Sequence, residues 1–412
     1  MKQKRLLAGA LCATAFAAAS TVLGAGYGIY EGSARGNAMG SEVTADPVSP
    51  SVIYNNIAAI TELSGVQVEG GATFIKPQQT VRTRSPLGAD NNYADSRWWI
   101  IPNAYATYQV NDKWWAGLGL FSRAGLGAEY ENDWAGRYTV QKVTITSFDI
   151  NPSVAYKVNE WFSLAAGFRA QYFDLELYRA IPSGQPFADP DMRLRMTGDD
   201  WALGFNLAAF YKATDWLSFG LAYDSRIKHA VPGEYAITFP QGKVGDGKGS
   251  ADMYTPGLIR LGTSVQATEK LKINAGVVYT MWSCYEQLGI TLEPPVGPQS
   301  RVVSRKDWHD TFRWQLGLEY ALTDNWDVRA GYVHDRTPDP DFSTDYMVPT
   351  NHRNLFSVGA GFHKGNFLCD VAYTYLMIQD RTIEARPEDG VWGGGFCDGD
   401  AHMLSLSVGY KL

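Results

Sequence analysis

Tyr108-Gln-Val-Asn-Asp-Lys-Trp114 is a short polar turn set between an aromatic residue and a tryptophan, and the chain repeats it. Copies stand at Tyr156-Lys-Val-Asn-Glu-Trp161, Tyr211-Lys-Ala-Thr-Asp-Trp216, Val265-Gln-Ala-Thr-Glu-Lys-Leu271 and Tyr320-Ala-Leu-Thr-Asp-Asn-Trp326. A looser copy is Phe362-His-Lys-Gly-Asn-Phe367. Asn, Asp and Thr suit tight turns because their side chains bond nearby backbone groups. The copies recur at roughly 40 to 56 residues, which fits one hairpin plus one long loop.

The flanks of these turns alternate. After Trp161, Phe162, Leu164, Ala166 and Phe168 share one face, with Ser163, Gly167, Arg169 and Gln171 on the other. After Trp216, Leu217, Phe219, Leu221 and Tyr223 oppose Ser218, Gly220, Asp224 and Arg226. Phe312, Trp314, Leu316 and Leu318 oppose Arg313, Gln315 and Glu319, and the chain ends on Leu404, Leu406, Val408, Tyr410 and Leu412 against Ser405, Ser407, Gly409 and Lys411. Period-two alternation over about ten residues is the mark of a strand. One stretch breaks the pattern: Asp174 and Glu176 fall in phase with the apolar face. A β-bulge, or a strand rising above the apolar zone, accommodates them.

A soluble sandwich also alternates, but three features favour an all-β transmembrane antiparallel barrel. Short turns at one end face long Gly/Pro/Asp-rich loops at the other, such as 182–191, 232–252 and 294–306. Aromatic residues gather where strands meet the short turns, as a girdle at a membrane interface does. The last alternating strand reaches the C-terminus, so it can close a barrel and leave no edge. Strand starts fall near Val66, Trp98, Trp114, Val140, Trp161, Gly198, Trp216, Met253, Leu271, Asp307, Trp326, Arg353, Asn366 and Asp400. That makes about fourteen, an even number.

The first residues place this barrel beyond an inner membrane. Lys2, Lys4 and Arg5 precede an apolar, alanine-rich stretch to Leu23, and small residues supply cleavage positions near Gly24 or Ala25. That is the layout of a Sec-type secretory signal over residues 1–24. Removing its three cations takes the formal charge from −7 to about −10, which argues against nucleic acid as a partner. Cys284, Cys369 and Cys397 remain after cleavage, too few for a disulfide framework.

Residues 25–65 do not read as strands: Gly26, Gly28, Gly32, Gly36 and Gly40 are spaced through small and polar residues. A fourteen-stranded barrel has an interior wider than wall side chains can fill, so this segment suits an N-terminal hatch inside a barrel of residues 66–412. A disordered extension is the other reading of its composition. Four stretches carry a resemblance to a known family: Ala25-Gly-Tyr-Gly-Ile-Tyr-Glu-Gly-Ser-Ala-Arg-Gly-Asn-Ala-Met-Gly40, Val52-Ile-Tyr-Asn-Asn-Ile-Ala-Ala-Ile-Thr61, Glu129-Tyr-Glu-Asn-Asp-Trp-Ala-Gly-Arg-Tyr138 and Asn151-Pro-Ser-Val-Ala-Tyr-Lys157. With these the chain resembles the FadL/TodX-type (OMPP1) outer-membrane transporters of long-chain fatty acids and hydrocarbons. The resemblance implies a fourteen-stranded barrel with a hatch, capture of substrate in extracellular loops, and a kinked third strand that opens a lateral exit. It places the kink at Phe121, Ser122 and Arg123. The chain departs from the family where the hatch motif Asn-Pro-Ala reads Asn56-Ile57-Ala58, and where Leu412 replaces a terminal Phe.

For capture, the loop holding Leu126, Tyr130 and Trp134 is apolar and aromatic, as is the stretch from Pro182 to Met196; both also read as packed surface loops. Alternation sends Arg169, Arg226, Arg260, Arg313 and Arg329 inward, either to hold a substrate carboxylate or to pair with lumen acids such as Asp224, Glu319 and Asp327. No Gly-x-Ser-x-Gly elbow appears. His229, His309, His334, His352, His363 and His402 are scattered without metal-ligand spacing, so no catalytic residue, metal or cofactor is expected. Expected partners are a hydrophobic small molecule, the lipid and lipopolysaccharide of the outer membrane, and the barrel assembly machinery, with the chain a monomer. A surface receptor or adhesin could use the same scaffold. A hatch that moves on ligand binding favours transport, and a fixed plug favours adhesion.

Overall fold

A computed structural model describes residues 26–94, 96–296 and 300–412. The signal-peptide segment lies outside them. Fourteen antiparallel strands form one closed wall. They are β1 (Val66–Ser85), β2 (Trp99–Gln109), β3 (Trp114–Phe121, resuming at Gly125–Glu129), β4 (Lys142–Asn159), β5 (Phe162–Pro182), β6 (Asp191–Thr214) and β7 (Leu217–Asp224). The circuit continues with β8 (Gly257–Gln266), β9 (Leu271–Met281), β10 (Thr311–Thr323), β11 (Trp326–Asp335), β12 (Arg353–Lys364), β13 (Phe367–Ile378) and β14 (Gly394–Lys411). β14 pairs with β1 from Gln67↔Lys411 upward, and the Leu412 N–H donates to the Val66 carbonyl at 2.8 Å. A terminal Leu therefore still closes the ladder. Cys284, Cys369 and Cys397 are free.

The repeated turn works the same way in five of its six copies; in the looser one Gly365 supplies a left-handed backbone, φ 61°. Asn111 Oδ1 accepts from the Lys113 and Trp114 N–H groups at 2.8 and 3.0 Å, and Asn159 Oδ1 from Trp161 at 3.1 Å. In the later copies a threonine hydroxyl takes that place: Thr214 accepts from Trp216, Thr268 from Leu271 and Thr323 from Asn325. The tryptophans then pair across strands at the membrane edge, Trp114 with Tyr156 at 4.7 Å between centroids and Trp326 with Phe362 at 4.9 Å.

At the other end several strands begin earlier than their alternation indicates, β6 at Asp191 rather than Gly198 and β14 at Gly394 rather than Asp400. β6 runs for 24 residues and β5 for 21, against about 9–11 needed to cross a bilayer. Their shared register is unbroken from Phe162↔Tyr211 to Pro182↔Asp191, so no bulge turns Asp174 and Glu176. Instead the environment inverts. Phe168 and Leu203 face lipid, whereas farther up Phe173, Leu175 and Leu177 face inward and are buried. Above the apolar belt the solvent lies outside and the apolar core inside.

Residues 26–64 lie within the barrel. Helix α1 (Ala34–Ala38) is capped by the Ser33 hydroxyl, which accepts from the Gly36 N–H. The wall grips the segment through side chains from many strands. The Ser407 hydroxyl accepts from Ala34 N–H, Tyr105 donates to the Gly32 carbonyl at 2.6 Å, Gln315 to Gly40 at 2.9 Å, and the Trp115 indole to Leu63 at 2.8 Å. Wall glycines make room for its backbone. A Cβ on Gly331 would lie 2.2 Å from Gly40 N, and one on Gly220 2.2 Å from the Thr44 carbonyl oxygen. Gly331→Leu should therefore unseat the segment while leaving the outer wall intact. Folded protein, identified by its shifted mobility when unheated, should show a higher single-channel conductance in planar bilayers; unchanged conductance would mean the segment seats elsewhere.

Candidate functional site

The third strand breaks at Ser122–Ala124, between the two halves of β3. The opened backbone is satisfied from both sides. Ser122 donates to the Ser147 carbonyl at 2.7 Å, and the Ser147 hydroxyl accepts from Ala124 N–H at 2.9 Å. From inside, the N-terminal segment completes the ladder. Ile29 N–H donates to the Arg123 carbonyl at 2.9 Å, Gly125 N–H to the Tyr27 carbonyl at 2.8 Å, and Gly28 bridges Ala124. Arg123 itself turns inward, stacks 3.6 Å above the Tyr54 ring, bonds the Tyr54 carbonyl and pairs with Asp224 at 3.2 Å. Phe121 packs edge-on against Tyr54 at 5.1 Å. The wall break and the N-terminal segment thus share one set of bonds.

Above the break lies an apolar layer built from the long loops. Leu126, Tyr130 and Trp134 all belong to it, with Phe173, Trp282, Trp308 and Tyr346. Tyr130 and Trp134 stack at 4.1 Å, and Trp134 meets Tyr346 edge-on at 5.0 Å. Burial pushes the Tyr130, Tyr285 and Tyr346 phenols up, so all three remain protonated. Tyr27, near the start of the described chain, inserts here within 5.6 Å of Trp282, Tyr285 and Trp308. From the stretch 182–196, Leu194 and Met196 join the layer. Phe187 instead packs on Tyr138 and Trp392.

Below, the lumen is charged in two tiers. In the upper tier Arg169 pairs with Asp149 at 2.8 Å, Arg260 with Asp224 at 3.0 Å, and Arg313 with Asp335 at 2.9 Å, a carboxylate that Arg353 also holds. Arg123 shares Asp224 with Arg260, so the upper tier gathers five arginines around Asp149, Asp224 and Asp335. The Arg313 Nε and Nη2 donors are buried without a partner among the described residues, and its guanidinium lies 4.4 Å over Tyr30. In the lower tier Arg329 bonds Glu319 at 2.6 Å, Asp370 at 2.5 Å and Asp327 at 3.4 Å. Arg35 of the N-terminal segment reaches Glu319 at 3.0 Å, and Lys272 reaches Asp46 at 2.9 Å. Four of the five arginines expected in the lumen are there. Arg226 is not: β7 ends at Asp224, Ser225 and Arg226 lie outside the ladder, and Ile227 resumes in the opposite phase, so Arg226 is exposed on the outer side.

The motif Asn56-Ile57-Ala58 sits at the lower end. Asn56 donates to the Thr44 and Ala209 carbonyls at 2.9 and 3.0 Å, and its Oδ1 accepts from Ala58 N–H at 2.9 Å. Ile57 is buried in an apolar cluster with Val52, Ile60 and Phe210. Arg35, Asp149, Asp335 and Asp370 were not singled out from the sequence. Inward phase would have flagged the strand acids; nothing local flags Arg35. Among the described residues no group of three His, Cys, Asp or Glu side chains could hold a metal ion.

A family model described as outer membrane protein transport protein (OMPP1/FadL/TodX) matches residues 14–412. The chain belongs to that family. It is an outer-membrane protein of the FadL/TodX type. Among curated relatives, a putative outer membrane protein of Neisseria meningitidis is 26% identical over 98% of this chain and 97% of that protein. A long-chain fatty acid transport protein of Escherichia coli is 25% identical over 100% of both. Two solved structures share the fold. A Pseudomonas aeruginosa FadL homologue has a TM-score of 0.83 at 20% identity, covering 94% of this chain and 99% of that one. The Pseudomonas putida toluene transporter TodX scores 0.72 at 15% identity, again covering 94% and 99%.

The upper tier is open to a direct stability measurement. Asp335→Ala leaves Arg313 and Arg353 together without their carboxylate, and should cost about 3–5 kcal/mol. Urea unfolding in detergent micelles checks this, and Arg313→Met combined with Asp335→Leu should recover most of the loss.

Proposed function

We propose that the protein carries small hydrophobic molecules inward across the outer membrane, by capture in the apolar loop layer, displacement of the N-terminal segment and exit through the third-strand break. The observation that carries this reading is the break itself. A wall in lipid cannot leave backbone groups unpaired, yet here the pairing is delegated to a segment that is not part of the wall. Withdrawing Tyr27 to Ile29 would remove those bonds and uncover an opening beside the apolar layer. The segment fills the lumen, so passage requires it to move. The relatives named for fatty acid and toluene transport support an apolar cargo. The residues assembled here bind and guide such a cargo rather than catalyse a reaction on it.

Fatty acid and hydrocarbon make different demands on the upper tier. A carboxylate would engage the two unpartnered Arg313 donors; toluene would not. Arg313→Ala should therefore weaken binding of lauric acid at least about ten-fold, equivalent to roughly 1.4 kcal/mol, and leave toluene within two-fold. Equal loss of both would count against a carboxylate anchor.

Uptake decides the wider reading. Cells lacking their own transporter should take up labelled lauric acid or toluene when they display this protein, and lose that uptake when residues 26–64 are tethered to the wall by a disulfide. No uptake of either, with folded barrel at the surface, would favour a receptor or adhesin.

A further inference from the structure

The wall has a second place where the ladder is missing. β6 pairs with β7 up to Asn206↔Asp224, and pairing on that side of β6 resumes only at Gly198↔Gly233. On the far side, β8 and β9 stop at Gly257↔Met281, and their continuations meet again only at Ala251↔Ile290. Between these gaps stands a two-stranded panel, Ile227–His229 with Met253–Thr255, laddered only to itself. Its inward side chains, Ile227, His229, Met253 and Thr255, are at most 2% exposed, so it fills the wall without being woven into it.

Side chains hold it shut. His229 lies between Asp200 of β6 at 3.2 Å and Gln171 of β5 at 3.0 Å, and stacks on Phe173 at 4.8 Å. The Thr255 hydroxyl donates to the same Gln171 oxygen at 2.5 Å. Ile227 covers Gly204, where a Cβ would come within 2.7 Å of it. The backbone ties are few: Ser225 N–H to the Phe205 carbonyl at one margin, and Asp252 N–H to the Gly289 carbonyl at the other. From inside, the Tyr27 hydroxyl donates to the panel's Tyr254 carbonyl at 2.6 Å. Tyr27 is also the residue whose carbonyl helps seal the third-strand break. Outside the panel is a cavity of about 920 Å³, bordered by Arg226, Lys228, Tyr254, Tyr279 and Met281. The panel therefore has few backbone bonds to break, and space beside it to enter.

We propose that this panel is a second side door, released outward when Tyr27 withdraws, connecting the apolar loop layer with the groove outside it, at the upper edge of the apolar belt. The door rests on the wall geometry; the transport reading enters only in what passes through it. Opening exposes the inner face of Ile227, and closure hides it behind β6.

Cysteine labelling in outer-membrane vesicles tests the door. In a chain carrying Cys284→Ser, Cys369→Ser and Cys397→Ser, Ile227→Cys reports the panel, Thr255→Cys repeats the measurement should the first fold poorly, and Leu194→Cys is a buried control in a stretch of β6 laddered on both sides. A maleimide should label position 227 at least about ten-fold faster after addition of lauric acid, or after Tyr27→Phe, with position 194 unchanged. Labelling that stays flat under both treatments, or rises equally at 194, overturns the door. A second arm joins Gly204→Cys to Ile227→Cys by a disulfide. Lauric acid uptake should fall at least about five-fold and recover on reduction; undiminished uptake with the disulfide formed overturns passage at this point. If the unlocked protein takes up neither lauric acid nor toluene, the transport reading fails, and the labelling arm still decides whether the panel moves.

Discussion

Within lipid a backbone N–H or C=O has no partner except the neighbouring strand, and each one left unpaired costs several kcal/mol. Most of this wall obeys that constraint by simple closure, β14 onto β1. The two exceptions therefore carry meaning. At the third-strand break the missing partners are supplied by Tyr27 and Ile29 from the lumen. At the panel between β6 and β9 side chains take over part of that role: the Phe205 N–H donates to the Ser225 hydroxyl and the Ala230 N–H to the Asp200 carboxylate, while His229, Gln171 and Ile227 hold the panel by side-chain contacts. A wall mended with parts that can leave is a wall that can open, and Tyr27 touches both repairs.

The same strands serve two solvents. Along β5 and β6 the register never slips, yet apolar side chains face outward near Phe168 and inward from Phe173. What changes is the surroundings: hydrocarbon outside a charged lumen below, water outside an aromatic layer above. The burial of an apolar cargo and the burial of Trp134, Trp282 and Tyr346 draw on the same hydrophobic gain. A cargo entering this layer thus competes with the protein's own side chains.

Beneath that layer the charges are arranged with equal consequence. In the upper tier arginines share Asp149, Asp224 and Asp335, while Glu319, Asp327, Asp370 and Asp46 gather in the lower one around Arg329, Arg35 and Lys272. Arg35 places the N-terminal segment inside the lower network, so the seat of that segment is ionic as well as steric.

Period-two alternation and the recurring Asn or Thr turn determined the strands, their number and which side chains face the lumen, because those properties depend only on neighbours a few residues apart. Arg169, Arg260, Arg313 and Arg329 could be placed inward on that ground alone. Arg226 could not, because the chain leaves the ladder at Ser225 and returns in the other phase, and no local signal marks the slip. Tertiary structure alone decided which acid each lumen cation meets: Lys272 finds Asp46 across 226 positions, and Arg329 finds Asp370 across 41. Those partners follow from strand order and stagger around a closed barrel, which alternation does not encode. The aromatic layer, the sealed break and the panel belong to the same category, since each is assembled from loops and termini brought together only when the wall closes.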